Sequence, residues 1–236
     1  MLLVKFFKFH WQMILITAGI IACWDFAFVF PVKILVIFLH EFAHGVAVVL
    51  TGGSWENLSL NVNQGGHVTF RGGNRFIIAS AGYLGSLIFG VALFVAAVRT
   101  NLDRYVLGFL GAVMIFVAAI YSREMFPLLF CTLFGAAMIV IAWFAHALVS
   151  DLLLRVFGLV SMIYVPYDIF SDTIQRPNIR SDARIIAEEI GGATVFWGGL
   201  WLLISVVVIL VTINFCLNNE SNLYSIRKRA RKSFDA

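Results

Sequence analysis

His40, Glu41 and His44 form the one segment of this sequence whose spacing specifies a reaction chemistry, His40-Glu41-Phe42-Ala43-His44. On a helix, residues four apart share a face. Two imidazoles so placed can hold one Zn²⁺ through their ring nitrogens. A glutamate beside the first ligand is within reach of a water at the metal and can act as its general base. The five-residue pattern also arises by chance, so its setting matters. Here it interrupts an apolar stretch that runs from Pro31 to Leu39 and resumes from Gly45 to Leu50. Two histidines and a carboxylate inside a membrane are costly and demand partners. A zinc site supplies that demand better than a polar cluster that merely faces other helices or a water-filled cavity.

A zinc site with an open position takes three protein ligands. The remaining histidines fit other roles: His10 and His146 border apolar runs, and His67 lies in a polar connection. Carboxylates are the better candidates. Asp168 and Asp172 are four residues apart at the end of an apolar run, and Asp168 follows Pro166. A proline can loosen a helix and let a carboxylate turn inward. Asp168 is therefore the expected third ligand, with Asp172 and Asp182 left open. Asp182 has a local explanation of its own, as an acidic residue in the first turn of a helix, favoured there by the helix dipole.

These residues must be positioned by a membrane-embedded scaffold. The chain has 236 residues, 61% hydrophobic and only 13% charged, where soluble domains carry about 25% charged residues. Seven apolar runs approach the ~20 residues needed to cross a bilayer: 11–30, 31–50, 75–98, 105–121, 127–147, 152–170 and 195–216. The first two are divided only by Pro31 and Lys33, so six or seven transmembrane helices are expected. The chain reads as an all-α, multi-pass integral membrane protein. Residues 1–216 form a single transmembrane domain, and 217–236 a basic, flexible tail. The long first run, without a small-residue cleavage site, argues against a cleavable signal peptide.

Seven spans would place eight of the 17 Lys and Arg residues on the side of the N-terminus and nine on the other, so the positive-inside rule assigns no orientation. Five basic residues (Arg227, Lys228, Arg229, Arg231, Lys232) crowd the last ten positions. A cluster just beyond a final span suits anionic lipid. No soluble domain accompanies it to favour nucleic acid. Cys23, Cys131 and Cys216 lie in or beside apolar runs without metal or redox spacing.

Two polar connections remain. Residues 51–74 alternate apolar and polar positions around Gly65-Gly66, the pattern of a β-hairpin after the second hydrophobic segment. Residues 171–194 hold Pro177, then Ser181 as the N-cap of a short helix closed by Gly191-Gly192. Ala79, Gly82 and Ser86 fall on one helix face with Gly85 beside them. Small residues there allow close helix approach, and this face is expected to press against the His40–His44 helix.

Taken in order, these features resemble the site-2 protease family of intramembrane zinc metalloproteases, in its short branch without an inserted PDZ domain. The resemblance covers roughly residues 30–205. It rests on His40-Glu41-x-x-His44, Thr51-Gly52-Gly53, Gly65-Gly66, Ala81-Gly82-Tyr83-Leu84-Gly85, Tyr167-Asp168-Ile169, Ser181-Asp182-Ala183 and the Trp197–Trp201 stretch. It implies a zinc held by His40, His44 and an aspartate, Glu41 as base, and hydrolysis of membrane-embedded protein substrates by zinc-activated water within or near the bilayer. Better-known members carry their aspartate in an Asn-Pro-x-Pro-x-Leu-Asp-Gly run, of which only Pro166-Tyr167-Asp168 remains here. A non-proteolytic membrane protein with a structural metal, or a transporter, is the alternative; a transporter would more often show two related halves, and none is visible.

Overall fold

Six of the seven apolar runs become helices long enough to cross a bilayer. A computed structural model describes residues 15–19, 22–24, 26–176 and 179–217. Among these, six helices are long and apolar enough to span a membrane. In chain order the elements are α1 (Phe30–Leu50, entered by a 3-10 turn at Ala27–Val29), β1 (Ser54–Asn61), β2 (Gly65–Arg71), α2 (Arg75–Arg99), α3 (Asp103–Tyr121), α4 (Met125–Phe144), α5 (Ala147–Phe170), α6 (Asp182–Ile190) and α7 (Thr194–Leu217). All but α6 are the spanning helices. The protein is a multi-pass integral membrane protein with a two-stranded hairpin after α1. Of the expected 11–30 span, residues 11–14, 20, 21 and 25 lie outside the described residues; among the rest, 15–19 are helical and 27–29 form the 3-10 turn, with no separate helix of spanning length. The basic tail beyond Leu217 lies outside the described residues.

Pro31 opens α1 rather than dividing a longer helix, because a proline in the first turn gives up no intrahelical bond. The helix then runs through the bundle interior: Ile34, Leu35, Val36, Phe38 and Leu39 are all at most 2% exposed. It packs on α2, α5 and the hairpin. By contrast only 22% of the α7 span and 28% of the α4 span are enclosed, against 72% for the α1 span. The helix that carries the histidines is thus the one most shielded from lipid.

The hairpin pairs Leu58 with Val68 and Asn61 with Gly65, with an irregularity between Trp55 and Asn57. Its reversal falls at Val62–Gln64, not at Gly65-Gly66, which belong to β2. The Asn61 carboxamide oxygen accepts from the amides of Asn63 and Gly65, and Gln64 adopts a positive φ of 61°, so a local asparagine turn replaces the glycine turn. Leu58, Ser59 and Leu60 are buried in succession, which means both faces of β1 are covered. Trp55 stacks on Tyr121 with ring centroids 3.9 Å apart, and Ser59 Oγ donates to Glu124 at 2.8 Å. These contacts fix the hairpin to α3 and the start of α4.

α5 continues through Pro166 and ends in a π-helical turn at Ser171–Gln175. Near its other end Arg155 donates to both oxygens of Asp151, each at 2.8 Å, and to the Ala97 carbonyl in the last turn of α2 at 3.1 Å. Both ionic side chains are at most 2% exposed. Removing one member of such a buried pair strands the other charge. Arg155→Met is expected to destabilise the protein by about 3–5 kcal/mol, whereas Asp151→Leu combined with Arg155→Met recovers much of that loss. Thermal unfolding in detergent micelles measures both; equal stability of the single variant and the native chain would refute the assignment.

Candidate metal centre

One turn of α1 sets His40 above His44, and their rings meet edge to face with centroids 4.8 Å apart. His44 Nδ1 donates to the carbonyl oxygen of Ile78 on α2 at 2.7 Å. A carbonyl only accepts, so that nitrogen carries the proton and Nε2 keeps its lone pair. A bond of this kind, from the ring nitrogen that faces away from the metal, usually orients a metal-binding histidine.

The third member comes from outside the spans. Ser181 caps α6 by accepting from the Arg184 amide at 3.3 Å, and Gly191 and Gly192 close the helix with positive φ. Ala183 and Ile186 are fully buried while Glu188 and Glu189 face outward. This amphipathic face docks α6 on α2 and α7. An Arg75–Glu189 ion pair and a hydrogen bond from Trp197 Nε1 to the Gly191 carbonyl hold it there. Docking carries Asp182 inward, until its Oδ2 lies 3.1 Å from His40 Nε2 and 3.3 Å from His44 Nε2.

His40, His44 and Asp182 form the group, among the described residues, whose donor atoms could hold a metal ion. The donor set fits zinc. Tetrahedral ligands at the usual Zn–N and Zn–O distances stand about 3.3 Å from one another, close to the two separations observed. Asp168, the expected third ligand, lines the same cleft but lies outside this trio. The expected loosening at Pro166 is absent, since α5 continues unbroken past it. Asp172 is engaged elsewhere: it accepts from Tyr83 Oη at 2.9 Å and pairs with Arg176 at 3.0 Å. His146 caps α5 by accepting from the Leu148 amide, and His10 lies outside the described residues.

Glu41 is 6% exposed and shares a cleft of about 580 Å³ with the trio. The opposite wall is β2, where Gly65, Gly66, His67 and Val68 line the space, and the rim includes Arg176, Arg180 and Ser181. Gly66 lies so close that a Cβ on it would stand 2.8 Å from Glu41 Oε1. Gly66 thus makes room for the carboxylate, while Gly65 makes room for the Asn61 side chain of the turn. The expected small-residue contact is also present: a Cβ on Gly85 would fall 2.5 Å from Ala43 Cβ.

A family model described as Peptidase M50B-like matches residues 13–212. No curated protein and no solved structure matches the chain.

The geometry separates the two aspartates experimentally. Asp182→Ala is expected to weaken zinc binding roughly 100-fold or more, the scale on which even outer partners of a metal act. Asp168→Ala is expected to change it only a few-fold. Metal analysis and competitive zinc titration of the purified variants read the difference, and the reverse ranking would return the ligand role to Asp168.

Proposed function

We propose that this chain, which belongs to the Peptidase M50B-like family and so to the site-2 proteases, hydrolyses peptide bonds of membrane-embedded protein substrates. The supporting observation is the convergence of His40, His44 and Asp182 in one cleft with the Glu41 carboxylate on its wall. Three protein donors leave one position of a tetrahedral zinc free, as catalytic rather than structural sites do. When bound, zinc would supply a Lewis acid that polarises a carbonyl and makes water a nucleophile at neutral pH.

The chain's own residues account for the remaining requirements. His40, His44 and Asp182 would hold the ion. Glu41 takes the proton of the attacking water and returns it to the departing amine. Burial of Glu41 and its contact with Gly66 limit the positions its carboxylate can adopt, which favours one proton-transfer geometry. An intact substrate helix hides its carbonyls in its own hydrogen bonds, so the substrate must unwind. Among the described residues β2 has a strand partner on one side only, and its residues line the cleft. An extended segment can pair with that free edge by strand addition.

Glu41→Gln keeps size and polarity but removes the base. It is expected to retain zinc and to lower the cleavage rate about 10²–10⁴-fold, measured on a transmembrane substrate reconstituted with the protein. Cleavage at the native rate would remove Glu41 from the mechanism. A native chain that binds no zinc would overturn the metalloprotease reading itself.

A further inference from the structure

We propose that Gly82 is the floor of the metal site, and that its missing side chain is what allows His40, His44 and Asp182 to converge. This rests on the metalloprotease reading and adds a residue to it. Gly82 sits in the second turn of α2, buried where that helix faces α1. A Cβ built on its backbone would stand 2.4 Å from Asp182 Oδ2, 2.5 Å from His40 Nε2 and 2.5 Å from His44 Nε2. All three candidate donor atoms therefore crowd a single point above one bare α-carbon. Atoms of a side chain essentially never approach so closely, and none of the three can yield easily. His44 is tethered through Nδ1 to Ile78 of α2 itself. His40 is edged by the Tyr83 ring, with centroids 5.5 Å apart. Asp182 is carried by the docked α6.

The other close glycines of this region meet different groups. Gly85 faces Ala43, Gly45 faces the Trp55 indole, and Gly66 faces Glu41. Gly82 alone among the glycines described touches the donors. Alanine is otherwise the better residue in a helix interior, so glycine here gives up helix propensity in exchange for room beside the ligands. Its place in the small-residue face of α2 follows from the same need. At Gly85 the space serves helix packing, and at Gly82 it serves the ion.

Four purified proteins test this: the native chain, Gly82→Ala, Gly85→Ala, and Gly82→Ala combined with Asp182→Gly. Zinc affinity is measured by competitive titration, and the unfolding midpoint is measured after chelation. Gly82→Ala is expected to lose zinc affinity roughly 100-fold, while Gly85→Ala stays within a few-fold of native. If alanine at position 82 also lowers the zinc-free midpoint, or prevents folding, the added Asp182→Gly should recover part of the loss by removing the shortest of the three contacts. Native-like zinc affinity in Gly82→Ala would overturn the proposal. So would equal zinc loss in Gly85→Ala, which would make helix spacing the cause. A double variant that recovers none of the folding defect would overturn it as well. Absence of zinc from the native chain would instead strike the metalloprotease reading, and the floor with it.

Discussion

Two imidazoles and a carboxylate set into a membrane-crossing helix must find their partners inside the protein, because lipid offers none. The rest of the bundle answers to that requirement. α1 is the most enclosed span, and the elements that enclose it approach through residues without bulk. The hairpin reaches Glu41 through Gly66, the indole of Trp55 lies against Gly45, and α2 meets Ala43 through Gly85. Glycine is poor in helices and strands for entropic reasons. Its presence at each of these contacts shows that proximity to the motif outweighs local propensity.

The site is also a joint between the membrane part and a connection outside it. His40 and Asp182 are 142 residues apart in sequence and come together only when α6 docks. That docking uses ordinary means: a serine cap, two buried apolar residues, an ion pair and a tryptophan hydrogen bond. An ion bridging α1 and α6 would add its binding free energy to the docked arrangement, so ligand capture and loop order become a single equilibrium. Asp172 is kept out of this joint by Tyr83 and Arg176, which absorb a carboxylate that would otherwise compete at the cleft.

Much of this was legible in the sequence because it depends on local pattern. Span lengths, the His-Glu-x-x-His register, the Ser181 cap and the small face of α2 are all consequences of hydropathy and helical period. The choice among Asp168, Asp172 and Asp182 was not local. Asp182 already had a sufficient explanation in the helix dipole, and nothing in periodicity says where a nine-residue connecting helix docks. The signals that favoured it were the inward pairing of Ala183 with Ile186 and the Ser181-Asp182-Ala183 run within the resemblance. The hairpin turn was misplaced for a related reason: Gly65-Gly66 looked like a reversal, while Asn61 makes the turn with Gly65 against its side chain, and Gly66 accommodates Glu41 in space.

Depth in the membrane then constrains what the proposed chemistry can reach. His44 and His40 precede the end of α1 at Leu50 by six and ten residues, or about 9 and 15 Å along the helix. The cleft is walled by the hairpin and by residues 179–185, which belong to connections at that same end of the spans. Water and the polar rim therefore meet the trio from one face of the bundle rather than from its middle. An extended chain advances up to about 3.3–3.6 Å per residue, so some three to five residues suffice to carry a backbone carbonyl from that face to the metal. A substrate need unwind only its terminal turn or so, where helix ends already lack intrahelical bonds, and the unpaired edge of β2 can take up the hydrogen bonds that unwinding releases. His40 itself lies midway along α1, so it is the opening of the cleft toward the Leu50 end, not a shallow position of the histidines, that lets an extended backbone reach the trio without opening a continuous helix at the centre of the bilayer.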